Sequence, residues 1–126
     1  MHDLIIIGAG PAGITASVYA ARKAMDFLVL TGDIGGQTAW SGDIENYTGY
    51  QFITGPDLVG KFEEHMLSYN TSVKEGEEVI AVDRAGEVIS VKTHKSSYQA
   101  KAVIVASGKR SKELNVPGEK EFKNKG

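Results

Sequence analysis

The residues with the clearest chemical meaning are three glycines near the start of the chain. Gly8, Gly10 and Gly13 fit the pattern G-x-G-x-x-G in the segment GAGPAG. In such a loop the first glycine permits a tight turn, the second lets the backbone approach a pyrophosphate, and the third allows a helix to pack closely on a strand. The N–H groups that begin the helix attract phosphate as well. The segment predicts a dinucleotide-binding loop, the alternative being a glycine-rich turn without a ligand.

The elements around this loop are the ones that the interpretation requires. Residues 4–7 form an apolar, β-branched run that predicts a strand buried on both faces. Residues 11–24 are small and predict a helix with Ile14, Val18 and Ala21 on one face. The run FLVLT that follows predicts a second buried strand. The first third of the chain therefore predicts a strand–helix–strand unit with parallel strands and a right-handed crossover.

The stretch GGQTAWSGDIENYTGY, residues 35–50, has neither a helical nor an alternating period and predicts an irregular loop. A second predicted helix follows it, capped by Thr54 or Gly55. The apolar stripe of that helix comprises Leu58, Val59, Phe62, Met66 and Tyr69.

Three β-branched runs, residues 77–84, 87–94 and 97–107, predict a β-meander. The end of the third run, residues 102–106, is apolar enough to return to the core sheet, and the polar tail from Gly108 predicts a linker. The fold class is therefore α/β: a Rossmann-like dinucleotide-binding fold with a parallel sheet, helices and a three-stranded meander.

Composition excludes several classes of function. A formal net charge of -2 without a basic stripe gives no reason to expect nucleic acid. The apolar start is too short for a membrane span, and Asp3 stands where a signal peptide would be basic, so we expect a cytoplasmic protein without a membrane partner. His2, His65 and His94 lack metal-ligand spacing, so no metal site is expected. With no cysteine, the chain cannot perform thiol chemistry.

Asp33 is a further candidate whose role the sequence leaves open. It lies about 20 residues after Gly13, where an acidic side chain binds a ribose hydroxyl in many dinucleotide-binding folds. Because it follows Thr31 and Gly32, beyond the predicted strand, it is also typical of a solvated turn residue.

Five segments together resemble the low-molecular-weight thioredoxin reductases. They occur in that family's order and spacing and span essentially the whole chain: GAGPAG, GGQ at 35–37, IENY at 44–47, ASG at 106–108 and NVPGE at 115–119. The IENY segment is also similar to the flavoprotein subunit of alkyl hydroperoxide reductase. The resemblance implies that residues 1–126 form an FAD-binding domain, specifically the N-terminal portion of a split domain.

The resemblance also implies which residues hold the FAD. They are Gly8, Gly10, Pro11, Ala12 and Gly13 at the pyrophosphate, Thr31 and Gly32 at the adenosine ribose, Val79 at the adenine, Gly36, Gln37 and Asn46 at the flavin, and Ala106, Ser107 and Gly108 close along the cofactor. Gln and Asn suit the flavin because their amides both donate and accept hydrogen bonds. Trp40 is expected to pack, either beside the flavin or over the sheet. Lys109 stands where the family has alanine and places a charge near the strand end.

For the parent protein the resemblance implies an oxidoreductase that passes electrons from a reduced nicotinamide, NADPH or NADH, through FAD to a cysteine pair. The acceptor is expected to be a disulfide of thioredoxin or of a peroxidase-type partner, and the parent is expected to be a homodimer. The nicotinamide-binding domain with its cysteine pair and the final FAD-domain segment are expected outside this chain, so no catalytic residue is assigned here. The alternative is a dinucleotide-binding module without activity of its own, and the sequence leaves the donor open among NADPH, NADH and ferredoxin.

Overall fold

A six-stranded sheet organises the part of the chain that the structure, a computed structural model, describes, which is residues 1–123 and 125. In chain order the elements are β1 (His2–Ala9), α1 (Pro11–Arg22), β2 (Phe27–Ile34), a 3-10 helix (Gly36–Trp40), β3 (Asp43–Ile44), β4 (Ile53–Thr54), α2 (Gly55–Leu67), β5 (Val73–Glu75), β6 (Val79–Ala85), β7 (Val88–Thr93), β8 (Ser97–Val105) and α3 (Glu119–Phe122). The strand order is β5-β2-β1-β8-β7-β6, and β3 pairs with β4 separately.

The sheet combines a parallel half with an antiparallel half. β1 pairs parallel with β2 and β8, and β2 pairs parallel with β5. β6, β7 and β8 form the antiparallel meander that the sequence predicts. Ala100 of β8 faces Ile89 of β7 on one side and His2 of β1 on the other, so β8 leaves the meander and enters the parallel sheet. The predicted α/β, Rossmann-like architecture is confirmed, including the return of the last strand to the core.

Two apolar clusters cover the opposite faces of β1 because successive side chains of a strand point to opposite sides. Ile6 is fully buried in a cluster that includes Ile14 of α1 and Met66 of α2. Ile5 is fully buried on the other face, in a cluster that includes Val91 of the meander. The meander therefore takes the place of a helix layer on that face.

Both predicted helices form, and the buried face of α1 differs from the one expected. The buried residues of α1 are Gly13, Ile14, Ser17 and Ala20. The prediction of Ile14 is confirmed, while Val18 and Ala21 were wrong, because the residues one position earlier, Ser17 and Ala20, are buried in their place. The hydroxyl of Ser17 donates to the Ile14 carbonyl oxygen at 2.6 Å, which satisfies this polar group inside the core.

In α2 the predicted cap is confirmed: Thr54 Oγ1 accepts the backbone N–H of Asp57 at 3.2 Å. Leu58, Val59 and Met66 are buried as expected. Tyr69 was wrongly placed on the apolar stripe, because α2 ends at Leu67 and the Tyr69 side chain is exposed.

The irregular stretch and the tail hold more structure than the sequence predicts. Residues 35–50 contain the 3-10 helix and β3, and the strand β5 was not predicted. The predicted linker includes the short helix α3. These elements are too short to show a period, which is why they escaped detection. Within residues 1–123 and 125, no helix is long and apolar enough to cross a membrane.

Two helical glycines give a matched test of the packing. A Cβ on Gly13 would lie 2.8 Å from the Gly8 carbonyl carbon, whereas a Cβ on Gly60, in the middle of α2, would meet nothing within 4 Å. We expect Gly13→Ala to lower the free energy of unfolding by about 1–3 kcal/mol through overpacking. Gly60→Ala should raise it by about 0.5–1 kcal/mol through helix propensity. Urea unfolding measures both, and equal stability of the two variants would contradict the close packing of α1 on β1.

Candidate functional site

A cavity of about 710 Å³ lies at the carboxyl ends of β1, β2 and β8. β1 is the central strand of this group: the chain continues from it through α1 to β2 on one side, while β8 lies on the other side. Open α/β sheets bind ligands at this kind of crevice, where the strand order reverses. The position of the cavity therefore follows from the topology.

Gly8 and Gly13 build the floor of the site by close backbone contact. Gly8 has a φ of +102°, and a Cβ there would lie 2.8 Å from the carbonyl carbon of Ala106. Gly13 approaches the Gly8 carbonyl in the same way. The segment after β8 is held on the other side by the Ala106 N–H, which donates to the Ile7 carbonyl oxygen at 2.7 Å. The fold itself therefore requires two of the three motif glycines.

Gly10 differs from the other two glycines of the loop. A Cβ on Gly10 would meet no atom closer than the Cα of Gly36, at 3.8 Å, and its φ of −78° suits any residue. The protein's own packing therefore does not explain a glycine here. The space beside it belongs to the cavity, whose lining includes both Gly10 and Gly36.

The start of α1 presents unpaired backbone donors to the same space. Gly10 is the N-cap and offers no side-chain acceptor, while Pro11 has no N–H to satisfy. The first helical N–H that finds a carbonyl is that of Ile14, which donates to Gly10 at 3.0 Å. The N–H group of Ala12, which lines the cavity, and the helix dipole favour an anion at this point.

The end of β2 forms one side wall. The buried Thr31 hydroxyl accepts the Ala9 N–H at 3.2 Å and donates to the Asp33 carbonyl oxygen, so it joins β1 to β2. β2 continues to Ile34, so Asp33 lies on the strand and not in a turn beyond it. Asp33 is exposed and lines the cavity.

The connection from β5 to β6 extends this wall. The Gly76 and Glu77 N–H groups donate to the carbonyls of Gly32 and Thr31 at 3.1 and 3.0 Å. The buried Glu77 carboxylate accepts the Tyr98 hydroxyl at 2.7 Å, and this bond to a carboxylate raises the pKa of Tyr98. Glu78 and Val79, the next two residues, are thereby held at the cavity.

The 3-10 helix adds Gly36, Gln37 and Thr38 to the lining. The Gly35 N–H donates to the Ala9 carbonyl at 2.7 Å, which fixes the start of this helix beside the glycine loop. Gln37 donates from Nε2 to the Lys109 carbonyl oxygen at 3.1 Å and so joins the helix to the segment after β8. Trp40 is 80% exposed and does not cover the sheet, while its packing beside a flavin stays a prediction.

The structure brings most of the predicted site residues to this one cavity. Its lining includes Gly8, Gly10, Pro11, Ala12, Thr31, Gly32, Gly36, Gln37, Val79, Ala106, Ser107 and Gly108. Their contacts with a cofactor stay a prediction. Gly13 does not line the cavity, because it packs against Gly8 behind the loop.

Asn46 lies outside the cavity, in a separate exposed turn over residues 45–51. The neighbouring Tyr47 packs against Phe62 of α2, with ring centroids 5.9 Å apart, and this contact draws the turn toward α2. The structure therefore does not bring Asn46 into the cavity with Gln37, and its contact with a flavin stays a prediction.

Three charged residues of the lining were not assigned a binding role from the sequence. Glu78, Lys109 and Arg110 join Asp33 at the cavity. Lys109 was noted only as a charge near the strand end. Adjacency to Val79 and Gly108 was the available signal for Glu78 and Arg110, but proximity along the chain does not show which way a loop turns.

The NVPGE segment forms its own turn away from the cavity. The Glu119 carboxylate accepts the Leu114 N–H at 2.7 Å and the Asn115 N–H at 2.6 Å. These backbone bonds, that of Leu114 foremost, lower the pKa of Glu119. The segment therefore has a structural explanation in this chain.

Comparisons with known proteins agree with this architecture. The family model for pyridine nucleotide-disulphide oxidoreductases matches residues 2–126. The thioredoxin reductase of Bacillus subtilis (strain 168) is 42% identical over 127 residues, which cover 100% of this chain and 40% of that protein.

Two solved structures show the same fold. The thioredoxin reductase of Lactococcus lactis has a TM-score of 0.90 at 35% identity, and that of Streptococcus pyogenes MGAS5005 has 0.86 at 41% identity. Each match covers 97% of this chain and 40% of the solved chain. The chain thus spans about 40% of the length of these relatives, consistent with the N-terminal part of an FAD domain. It belongs to the pyridine nucleotide-disulphide oxidoreductase family, and its predicted resemblance to the thioredoxin reductases is confirmed.

Proposed function

We propose that this chain is the FAD-binding part of a flavoprotein disulfide reductase of the thioredoxin reductase type. The observation that carries the proposal is the open space at Gly10, beside the unpaired N–H groups that begin α1. A glycine that the fold does not need, next to a site that favours an anion, fits close approach of a pyrophosphate.

The residues of the cavity fit a dinucleotide in size and chemistry. Its volume of about 710 Å³ lies within the ~300–1,000 Å³ of typical ligand sites. The end of β2 and the start of β6 contribute Thr31, Gly32 and Val79, which suit the adenosine half, and the 3-10 helix contributes Gln37. An amide can both donate and accept, as the edge of a flavin requires. FAD is therefore the ligand that we propose for the cavity.

The role of this chain is to bind and orient, not to transfer protons. Bound FAD supplies the hydride-accepting and electron-donating chemistry, for which the protein provides position and electrostatics. We propose that the donor is NADPH or NADH and that the acceptor is the disulfide of thioredoxin or of a peroxidase-type partner, both acting through parts outside this chain. The homodimeric state of the parent and a cytoplasmic location belong to the same proposal.

A second candidate is a dinucleotide-binding module without turnover of its own. The absence of cysteine from these 126 residues favours it for this chain, since disulfide reduction by this family's route needs a redox-active thiol pair. The two candidates agree on the ligand and differ on activity.

The first test is binding of FAD by the purified chain. We expect retained flavin absorbance after gel filtration and a rise in melting temperature, because a ligand at about 100 times its Kd adds about 2.7 kcal/mol to the unfolding free energy. Titration followed by flavin fluorescence measures the Kd. A chain that is folded by circular dichroism but shows neither signal would contradict the proposal.

The second test asks whether Gly10 is required for FAD binding or for folding. Gly10→Ala should change the melting temperature of the ligand-free chain by no more than a few degrees, because its Cβ would meet no atom closer than 3.8 Å. It should weaken FAD binding about 10-fold or more, since each hydrogen bond to a charged phosphate contributes about 1.5–3 kcal/mol.

Gly42→Ala is the matched control for Gly10→Ala, because a Cβ on Gly42 meets nothing within 4 Å and Gly42 lies outside the cavity. FAD affinity of the Gly10 variant equal to that of the Gly42 variant would remove the phosphate role of Gly10.

The third test addresses activity. The chain loaded with FAD should show no reduction of thioredoxin or of 5,5′-dithiobis(2-nitrobenzoate) by NADPH or NADH, because it lacks a thiol pair. A full-length thioredoxin reductase serves as the positive control. Turnover above the rate of free FAD would show that this chain reduces disulfides by another route.

A further inference from the structure

Four charged side chains belong to the lining of the cavity, and they divide by sign. Asp33 and Glu78 lie on the wall formed by β2 and the start of β6, while Lys109 and Arg110 lie in the segment after β8. The two cations match the two carboxylates in number. Without the cations the charged lining would be wholly acidic.

Two hydrogen bonds hold the segment that carries Lys109 and Arg110 at the site. The Ala106 N–H donates to the Ile7 carbonyl oxygen at 2.7 Å, which aligns the segment with the end of β1. Gln37 Nε2 donates to the carbonyl oxygen of Lys109 itself at 3.1 Å. The backbone that carries the cations is therefore tied to the same 3-10 helix whose Gly36 faces Gly10.

No carboxylate forms an ion pair with Lys109 or Arg110 within the part of the chain that the structure describes. The ion pairs there join His2 to Asp26 and Lys101 to Asp3. Lys109 and Arg110 are both exposed at the cavity. They can therefore approach an incoming anion without breaking an internal pair.

We propose that Lys109 and Arg110 form a recognition pair for the diphosphate of the dinucleotide, a specificity that rests on the function proposed above. The diphosphate of FAD carries two negative charges, and the carboxylates of Asp33 and Glu78 repel it. The α1 N-terminus supplies only partial positive charge. The two full charges of the pair offset the carboxylates, raise the rate of association and favour phosphorylated ligands over neutral ones.

The test compares two double variants that remove the same amount of charge. Lys109→Gln/Arg110→Gln removes the pair, and Lys61→Gln/Lys92→Gln removes two exposed lysines that do not line the cavity. We expect the first to bind FAD about 2- to 30-fold more weakly than the second, the range for two exposed charge pairs. Its Kd should also depend less on salt between about 0.05 and 0.5 M, because screening acts on the charges that were removed.

Two further measurements make the result specific. ADP carries the diphosphate without a flavin, so its affinity should fall by a similar factor in the Lys109→Gln/Arg110→Gln variant. The charge-preserving Lys109→Arg/Arg110→Lys variant should restore both affinities. Circular dichroism and melting temperature confirm that each variant is folded.

Several outcomes would overturn the inference. The first is equal FAD affinity in the two charge-removing variants. The second is a loss of FAD affinity in Lys109→Gln/Arg110→Gln while its Kd depends on salt as strongly as that of Lys61→Gln/Lys92→Gln. The third is a loss of affinity for FAD without a loss of affinity for ADP. If the wild-type chain binds FAD and one of these is seen, the recognition pair alone fails. If wild type binds neither FAD nor ADP, the proposed function fails together with the pair.

Discussion

The close approach of three backbone segments around Gly8 is the constraint on which the rest of the structure depends. Gly13 of α1 contacts the Gly8 carbonyl, and Ala106, after β8, lies against Gly8 itself. No side chain fits between these segments, so α1, β1 and β8 keep fixed positions relative to one another. The start of α1 is thereby presented at the carboxyl edge of the sheet, where its unpaired N–H groups create the anion-favouring part of the site.

The walls of the cavity depend on polar bonds that tie distant parts of the chain to this centre. Thr31 joins the ends of β1 and β2, and the buried Glu77 carboxylate holds the β5–β6 connection against the meander. Gln37 joins the 3-10 helix to the segment after β8 across 72 positions of sequence. Because the Glu77 and Gln37 bonds link segments that lack regular pairing with one another, the cavity keeps its shape where the sheet itself ends.

Much of the fold was predictable because its signals are local. The apolar runs of β1 and β2 and the Thr54 cap each act within a few residues, and each forms as predicted. β5 escaped because three residues show no period. Trp40 does not cover the sheet and is 80% exposed, because hydrophobicity does not say whether another surface of the chain lies within reach. Asn46 lies outside the cavity, in a turn whose Tyr47 packs against Phe62 of α2, and no local pattern records that contact.

The sequence by itself determined the glycine loop, the strand–helix–strand unit, the meander and the family resemblance, since these depend on residue types at fixed short spacings. Only the tertiary structure decided which glycines serve the fold and which one leaves space for a ligand. It also decided that Asp33, Glu78, Lys109 and Arg110 share one cavity. The physical reason is that sheet order and loop hydrogen bonds bring together residues far apart in the chain, and no local pattern records where a loop meets its distant partner.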